Sequence, residues 1–155
     1  MRTEELARAV LSRLAERQMT LATAESCTGG LIGKLLTDIP GSSAVYVGGV
    51  ISYVNDVKHR LLGVSEETLR VCTAVSRQTA VEMAKGAREV TRAAVGVSVT
   101  GLAGPDGDGT GRPVGLVYIA LDLDGFSYNR ELHLAGSRAQ IREDAARSVL
   151  EMLLE

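Results

Sequence analysis

Apolar residues recur along this chain with two periods, and each change of period marks the boundary of an element. Thr3 followed by Glu4 and Glu5 predicts a helix start, with Leu6, Ala9, Val10 and Leu14 tracing one face to about Gln18. The β-branched and apolar run from Thr20 to Ala24 predicts a strand. A helical pattern resumes near Gly30 through Leu31, Ile32, Leu35 and Leu36 and stops by Asp38, because Ile39-Pro40-Gly41 cannot continue it. Ala44 to Tyr53 predicts a second strand, with Gly48-Gly49 marking a bulge or a close backbone approach.

Asn55 is placed to cap a short helix through Val57, Leu61 and Leu62, closed by Gly63. Ser65-Glu66-Glu67 opens another helical turn, and Ser76 caps a long helix with Ala80, Val81, Ala84, Ala87 and Val90 on one face. A buried-type strand from Ala93 to Thr100 runs into a loop, Gly101 to Pro113, too rich in Gly and Asp for regular structure. Val114–Leu121 and Phe126–Leu134, joined by Asp122-Leu123-Asp124-Gly125, predict a hairpin. Ser137 with Gln140 forms a capping box for a last helix carrying Ile141, Ala145, Val149, Met152 and Leu153.

This order predicts an α/β fold: one domain over residues 1–155, in three α/β/α layers around a mixed, mostly parallel sheet. Ligands of such sheets sit at the carboxyl ends of strands, so the glycine-rich corners after the first and third strands become the expected crevice. At 155 residues, with 45% hydrophobic and 23% charged residues, the chain can build a core of ordinary size. Aromatic residues are only 3%, Trp is absent and the formal net charge is -2, which argues against a nucleic-acid surface. No apolar run approaches a membrane span and nothing resembles a signal peptide, so a cytoplasmic location without membrane partners is expected. Cys27 and Cys72 with His59 and His133 are too few and too scattered for a zinc site, and no metal or cofactor is expected.

Several familiar motifs fail on their spacing. A phosphate loop ending at Gly33-Lys34 needs Gly at position 28 and Ser or Thr at 35, where the chain has Thr28 and Leu35. No Gly-x-Gly-x-x-Gly opens a helix, and Tyr53 to Lys58 is one residue too long for a Tyr-x-x-x-Lys pair. Asp106 to Gly111 imitates the start of a calcium loop whose twelfth position is Val117 instead of a glutamate. Neither histidine has an acid or nucleophile partner in sequence, which leaves a Ser-His-Asp triad without support.

What remains is Thr23-Ala24-Glu25-Ser26-Cys27-Thr28-Gly29-Gly30, where a strand breaks into a helix. Its plain reading is a turn with a Ser/Thr cap. Its chemical reading is an exposed Ser26 hydroxyl beside helix N-terminal N–H groups that can hold an anion or a developing oxyanion. A serine nucleophile here needs a base, and without a histidine that base is a lysine. An unperturbed lysine is neutral in only about 1 in 2,500 molecules at pH 7, so burial must lower its pKa. Lys34, Lys58 and Lys85 are the candidates; Lys58, after the second strand, is the best of the three, though spacing does not prove the contact.

The octapeptide is one of several segments that carry a resemblance in order over nearly the whole chain. The others are Asp38-Ile39-Pro40-Gly41-Ser42-Ser43, Tyr53-Val54-Asn55-Asp56-Val57-Lys58, Ala74-Val75-Ser76, Thr100 to Gly107, Arg112-Pro113-Val114-Gly115, and Gly136-Ser137-Arg138 with Ile141-Arg142. Together they resemble the C-terminal domain family of the competence/damage-inducible protein CinA, which also occurs alone as nicotinamide-nucleotide amidohydrolase. The resemblance implies deamidation of nicotinamide mononucleotide to nicotinate mononucleotide and ammonia, with Ser26 as nucleophile, Lys58 as base and Tyr53 beside it. It also implies substrate binding by Glu25, Cys27, Thr28, Gly29, Gly30, Thr100, Gly101 and Arg142. Cofactors are not implied; nicotinamide mononucleotide is the expected partner, and a homo-oligomer is expected from the exposed edge of a small open sheet. The alternative expectation is a catalytically inactive nucleotide- or partner-binding module of a CinA-like protein.

Overall fold

A computed structural model describes all residues, 1–155. In chain order the elements are α1 (Thr3–Glu16), β1 (Leu21–Glu25), α2 (Leu31–Thr37), β2 (Tyr46–Ile51), α3 (Asn55–Leu62) and α4 (Glu66–Val71). They are followed by α5 (Arg77–Thr91), β3 (Val95–Gly101), β4 (Leu116–Leu123), β5 (Phe126–His133) and α6 (Arg138–Leu153). The strands form one sheet in the order β2-β1-β3-β4-β5. Its parallel pairs are confined to β2-β1-β3, and β3-β4-β5 is antiparallel, so the mixed sheet is parallel at one end only.

Period-2 alternation divides β1 between two cores. Leu21 faces the larger one, with Val95, Val97 and Val99 of β3 and the apolar sides of α1, α2 and α6. Ala22 and Ala24 face the smaller one, with Leu62, Val64, Met83 and Ala87. The small side chains on that second face let helices come close. A Cβ added to Gly86 of α5 would lie 1.9 Å from the carbonyl oxygen of Leu62, so glycine at this position lets α5 approach the end of α3. This contact holds α3 against the parallel half of the sheet.

Of the two expectations at Gly48-Gly49, the bulge falls one residue earlier, since Leu21 pairs with Tyr46 and Ala22 with Gly48 and Val47 is the extra residue; the close approach is at Gly49, where an added Cβ would lie 2.7 Å from the Thr23 carbonyl oxygen. Ser65, Ser76 and Ser137 each accept a hydrogen bond from the backbone N–H three residues on, as their positions predict. Gly63 closes α3 in the left-handed conformation.

Three local expectations are corrected. Asn55 is the first helical residue of α3 and Val54 is its N-cap, without a side-chain cap. Only half of the capping box at α6 forms, because the Gln140 side chain donates to Asp144. The second strand begins at Tyr46, since Ser42–Ala44 wind a 3-10 turn first and the Val45 N–H is held by the Ser42 carbonyl.

Candidate active site

At the end of β1, alternation sends two neighbouring side chains to opposite faces of the sheet. Glu25 turns toward α2 and Ser26 toward α3. The Glu25 carboxylate, 2% exposed, accepts from Thr28 Oγ1 at 2.7 Å, Ile32 N at 2.9 Å and Gly33 N at 3.0 Å. It thereby occupies the first N–H groups of α2. The helix terminus that the sequence suggested for an anion is closed by the chain's own carboxylate, and the Glu25 side chain does not line the cavity beside Ser26.

Ser26, 7% exposed, meets Lys58, 1% exposed. Lys58 Nζ lies 3.0 Å from Ser26 Oγ, 2.7 Å from the Ser52 carbonyl oxygen and 3.2 Å from that of Tyr53. None of the three partners is a carboxylate. Burial therefore acts almost unopposed and lowers the Lys58 pKa to about 8, with Cys27 pulling weakly the other way. At that value about 1 in 10 molecules carry a neutral amine at pH 7, against about 1 in 2,500 for an unperturbed lysine. A neutral Lys58 has two N–H groups for the two carbonyls and one lone pair for the Ser26 hydroxyl proton. After taking that proton it has three donors for the same three oxygens. Proton uptake leaves no polar group stranded.

The backbone around Ser26 supplies the complementary charge. Ser26 N–H donates to the Val99 carbonyl of β3, and the Ser26 carbonyl accepts from Gly29 N–H. The N–H groups of Cys27 and Thr28 donate to no other residue, the Cys27 N–H lying against its own thiol. Gly29 and Gly30 turn the chain with φ of 60° and 104°. The Cys27 thiol itself is 5% exposed and burial pushes its pKa up to about 11, so it stays protonated.

A cavity of about 290 Å³ opens over the pair. It is lined by Ser26, Cys27, Tyr53 and Lys58, by Thr100, Gly101 and the Leu102–Gly104 segment, and by the exposed residues Asp106, Asp108 and Arg138. Thr100 reaches it with its hydroxyl already donated to the Ala74 carbonyl. Tyr53 enters differently from expectation: its carbonyl holds Lys58, while the residue as a whole is 60% exposed and its hydroxyl accepts from Arg138. Arg142 does not line the cavity. It lies behind the corner, where its Nε donates to the Cys27 carbonyl and its Nη2 to the Thr28 carbonyl, each at 3.0 Å.

Sequence reasoning missed the carbonyls of Ser52 and Tyr53 as the seat of Lys58, and Ala74 and Val75 as part of the cavity wall. Tyr53, Ala74 and Val75 stand in segments that carry the family resemblance, which gave them no such role; for Ser52 the only signal was its position after β2. No group of three or more His, Cys, Asp or Glu side chains stands together as a metal-binding cluster. No helix is long and apolar enough to cross a membrane.

The fold and the site together define a class: a three-layer α/β domain with a buried serine–lysine contact at the carboxyl ends of its parallel strands. The chain belongs to the CinA family, whose C-terminal domain model matches residues 3–155. It is 46% identical over 150 residues to a CinA-like protein of Gemmatimonas aurantiaca, covering 97% of this chain and 35% of that relative. The chain spans 32–36% of the length of the curated relatives it matches. Among solved structures, the competence/damage inducible protein CihA of Agrobacterium tumefaciens superposes with a TM-score of 0.94 at 46% identity, covering 98% of this chain and 93% of that one. A CinA superfamily protein of Escherichia coli gives 0.96 at 36% identity, covering 99% and 89%.

Proposed function

We propose that this protein hydrolyses the carboxamide of nicotinamide mononucleotide, giving nicotinate mononucleotide and ammonia through an acyl intermediate on Ser26. The observation that carries the reading is the buried 3.0 Å contact between Lys58 Nζ and Ser26 Oγ, made by a lysine whose pKa is lowered to about 8. The choice of substrate rests on the family resemblance of the Thr23–Gly30 and Thr100–Gly107 segments. The cavity volume agrees with it: about 290 Å³ lies at the small end of ligand pockets, which run from roughly 300 to 1,000 Å³, and suits a mononucleotide better than a dinucleotide.

In this mechanism neutral Lys58 removes the Ser26 proton as Oγ attacks the carboxamide carbon. The carbonyl oxygen becomes an oxyanion for which the Cys27 N–H, taken by no other residue, is the nearest donor in sequence. When the tetrahedral intermediate collapses, the C–N bond breaks and the Lys58 ammonium gives its proton to the departing amide nitrogen, which leaves as ammonia. Water then attacks the ester. Lys58 takes the water proton and returns it to Ser26 Oγ as the acid is released.

The test is ammonia release from nicotinamide mononucleotide by wild type, Ser26→Ala and Lys58→Ala, with folding checked by circular dichroism. Wild type turns over and both folded variants are expected to lose at least a thousandfold in kcat. Turnover by either variant at the wild-type rate overturns the proposal.

A further inference from the structure

The geometry points to Arg142 as a positioning residue that aims the oxyanion donors at the Ser26 corner without touching substrate. This inference rests on the function proposed above and deepens it. Arg142 stands one helical turn beyond Arg138 on α6, yet the two guanidinium groups do different things. Arg138 lines the cavity, where it donates to the Gly104 carbonyl and the Tyr53 hydroxyl. Arg142 stays behind the corner and spends Nε and Nη2 on two consecutive carbonyls, those of Cys27 and Thr28.

In a trans peptide the C=O and the following N–H point in opposite directions. A donor that fixes a carbonyl therefore also fixes the direction of the next N–H. With the Cys27 carbonyl turned to Arg142, the Thr28 N–H faces the other way. The Thr28 carbonyl, which accepts from both Arg142 and the Leu31 N–H, sets the Gly29 N–H, and that group donates to the Ser26 carbonyl at 3.1 Å. Holding the Ser26 carbonyl in turn sets the Cys27 N–H, one of the two N–H groups that donate to no other residue, on a residue that lines the cavity. Arg142 thus holds the Cys27 carbonyl alone and shares the Thr28 carbonyl with the Leu31 N–H, so the Cys27–Thr28 peptide plane depends on it most, and a planar two-pronged donor suits that task where a lysine ammonium does not.

Room for the guanidinium is itself built into the corner. A Cβ at Gly29 would lie 3.2 Å from Arg142 Nη2, and Gly29 has a φ of 60°. The residue that turns the chain also leaves space for the clamp.

Preorganised donors contribute in the transition state and little to ground-state binding, so their loss appears in kcat. Arg142→Lys and Arg142→Ala are therefore compared with Arg138→Ala in ammonia release from nicotinamide mononucleotide. The expected result is a 10- to 100-fold fall in kcat for both Arg142 variants, with KM within about threefold of wild type. A rise in KM at unchanged kcat, or no change in either, overturns the inference.

A second measurement, independent of the natural substrate, uses a fluorophosphonate. Ser26 Oγ displaces fluoride from phosphorus, hydrogen fluoride is lost and the adduct is counted by intact mass. Arg142→Lys is expected to slow this labelling at least tenfold, because the phosphoryl oxygen also needs the corner donors. Slowed labelling in a protein that releases no ammonia from the nucleotide keeps the positioning role and rejects the substrate. Unchanged labelling alongside wild-type turnover of the nucleotide rejects the positioning role and keeps the substrate. A wild-type Ser26 that neither labels nor turns over rejects both.

Discussion

The carbonyl oxygen of Ser52 lies 2.7 Å from Lys58 Nζ, closer than Ser26 Oγ at 3.0 Å. Lys58 is thus seated by the backbone that leaves β2, and its contact with Ser26 is the longer of the two. A seat made of carbonyls holds the nitrogen in either protonation state and adds no full negative charge to oppose burial.

Activity is therefore expected to follow the neutral form of Lys58. kcat/KM for ammonia release should rise about tenfold per pH unit below pH 7 and level off above about pH 8. A profile flat from pH 6 to 9 counts against Lys58 as the base. Lys58→Arg should lose activity throughout, since a guanidinium does not give up its proton in this range.

The same group links stability to pH. Native Lys58 titrates near 8, below the ordinary 10.5, so between those values the unfolded chain holds a proton that the native protein lacks. Wild-type stability relative to Lys58→Met should then be constant below about pH 8 and rise from about pH 8 to 10.5. Urea unfolding of the two proteins across that range measures the difference; a falling difference contradicts the buried amine.

Glu25 holds three buried or half-buried donors of the corner and of α2. Glu25→Ala leaves all three without their acceptor and is expected to cost about 3 kcal/mol or more in urea unfolding. Turnover should fall too, even in the folded fraction, because Thr28 loses its anchor. A cost under about 1 kcal/mol would show that water replaces the carboxylate.

At Gly86 an added Cβ meets backbone, the carbonyl of Leu62 at 1.9 Å, and no rotamer relieves the clash. Gly86→Ala should destabilise by about 3 kcal/mol or more and displace α3, taking Lys58 away from Ser26. Thermal unfolding and ammonia release together check it; a stable, fully active variant would mean that α5 shifts freely.

The two thiols should separate cleanly in alkylation. Cys27 is buried, with its pKa pushed up to about 11, while Cys72 is partly exposed. Iodoacetamide at pH 8 is expected to modify Cys72 in the native protein and Cys27 only after unfolding, as peptide mass mapping will read.

Most of the fold was visible in local chemistry. Ser76, Gly63 and the Ile39-Pro40-Gly41 stop act through the residues next to them, and each does what its type predicts. The choice of Val54 over Asn55 as N-cap was not visible, because cap preference by residue type favours Asn over Val. Within the candidate site, Ser26 stood out because it sits at a strand-to-helix break. Its contact with Lys58 spans 32 positions and depends on the pairing of β1 with β2, which no spacing rule encodes. Alternation along β1 does separate Glu25 from Ser26, and it was available from the sequence once the strand was extended by one residue. The part played by Arg142 was hidden, since an arginine gives no sign in sequence of whether it will face a ligand or a main-chain carbonyl.

The parallel pairing of β1 with β2 also bears on how the protein comes into being. Ser26 lies just past the end of one strand, and the seat of Lys58 just past the end of the other. Parallel strands meet only after an intervening crossover has been laid down, and such distant pairings form slowly compared with helices. Regain of ammonia release during refolding should accordingly lag behind regain of helical circular dichroism, making the reaction a clock for the closure of this one pair of strands.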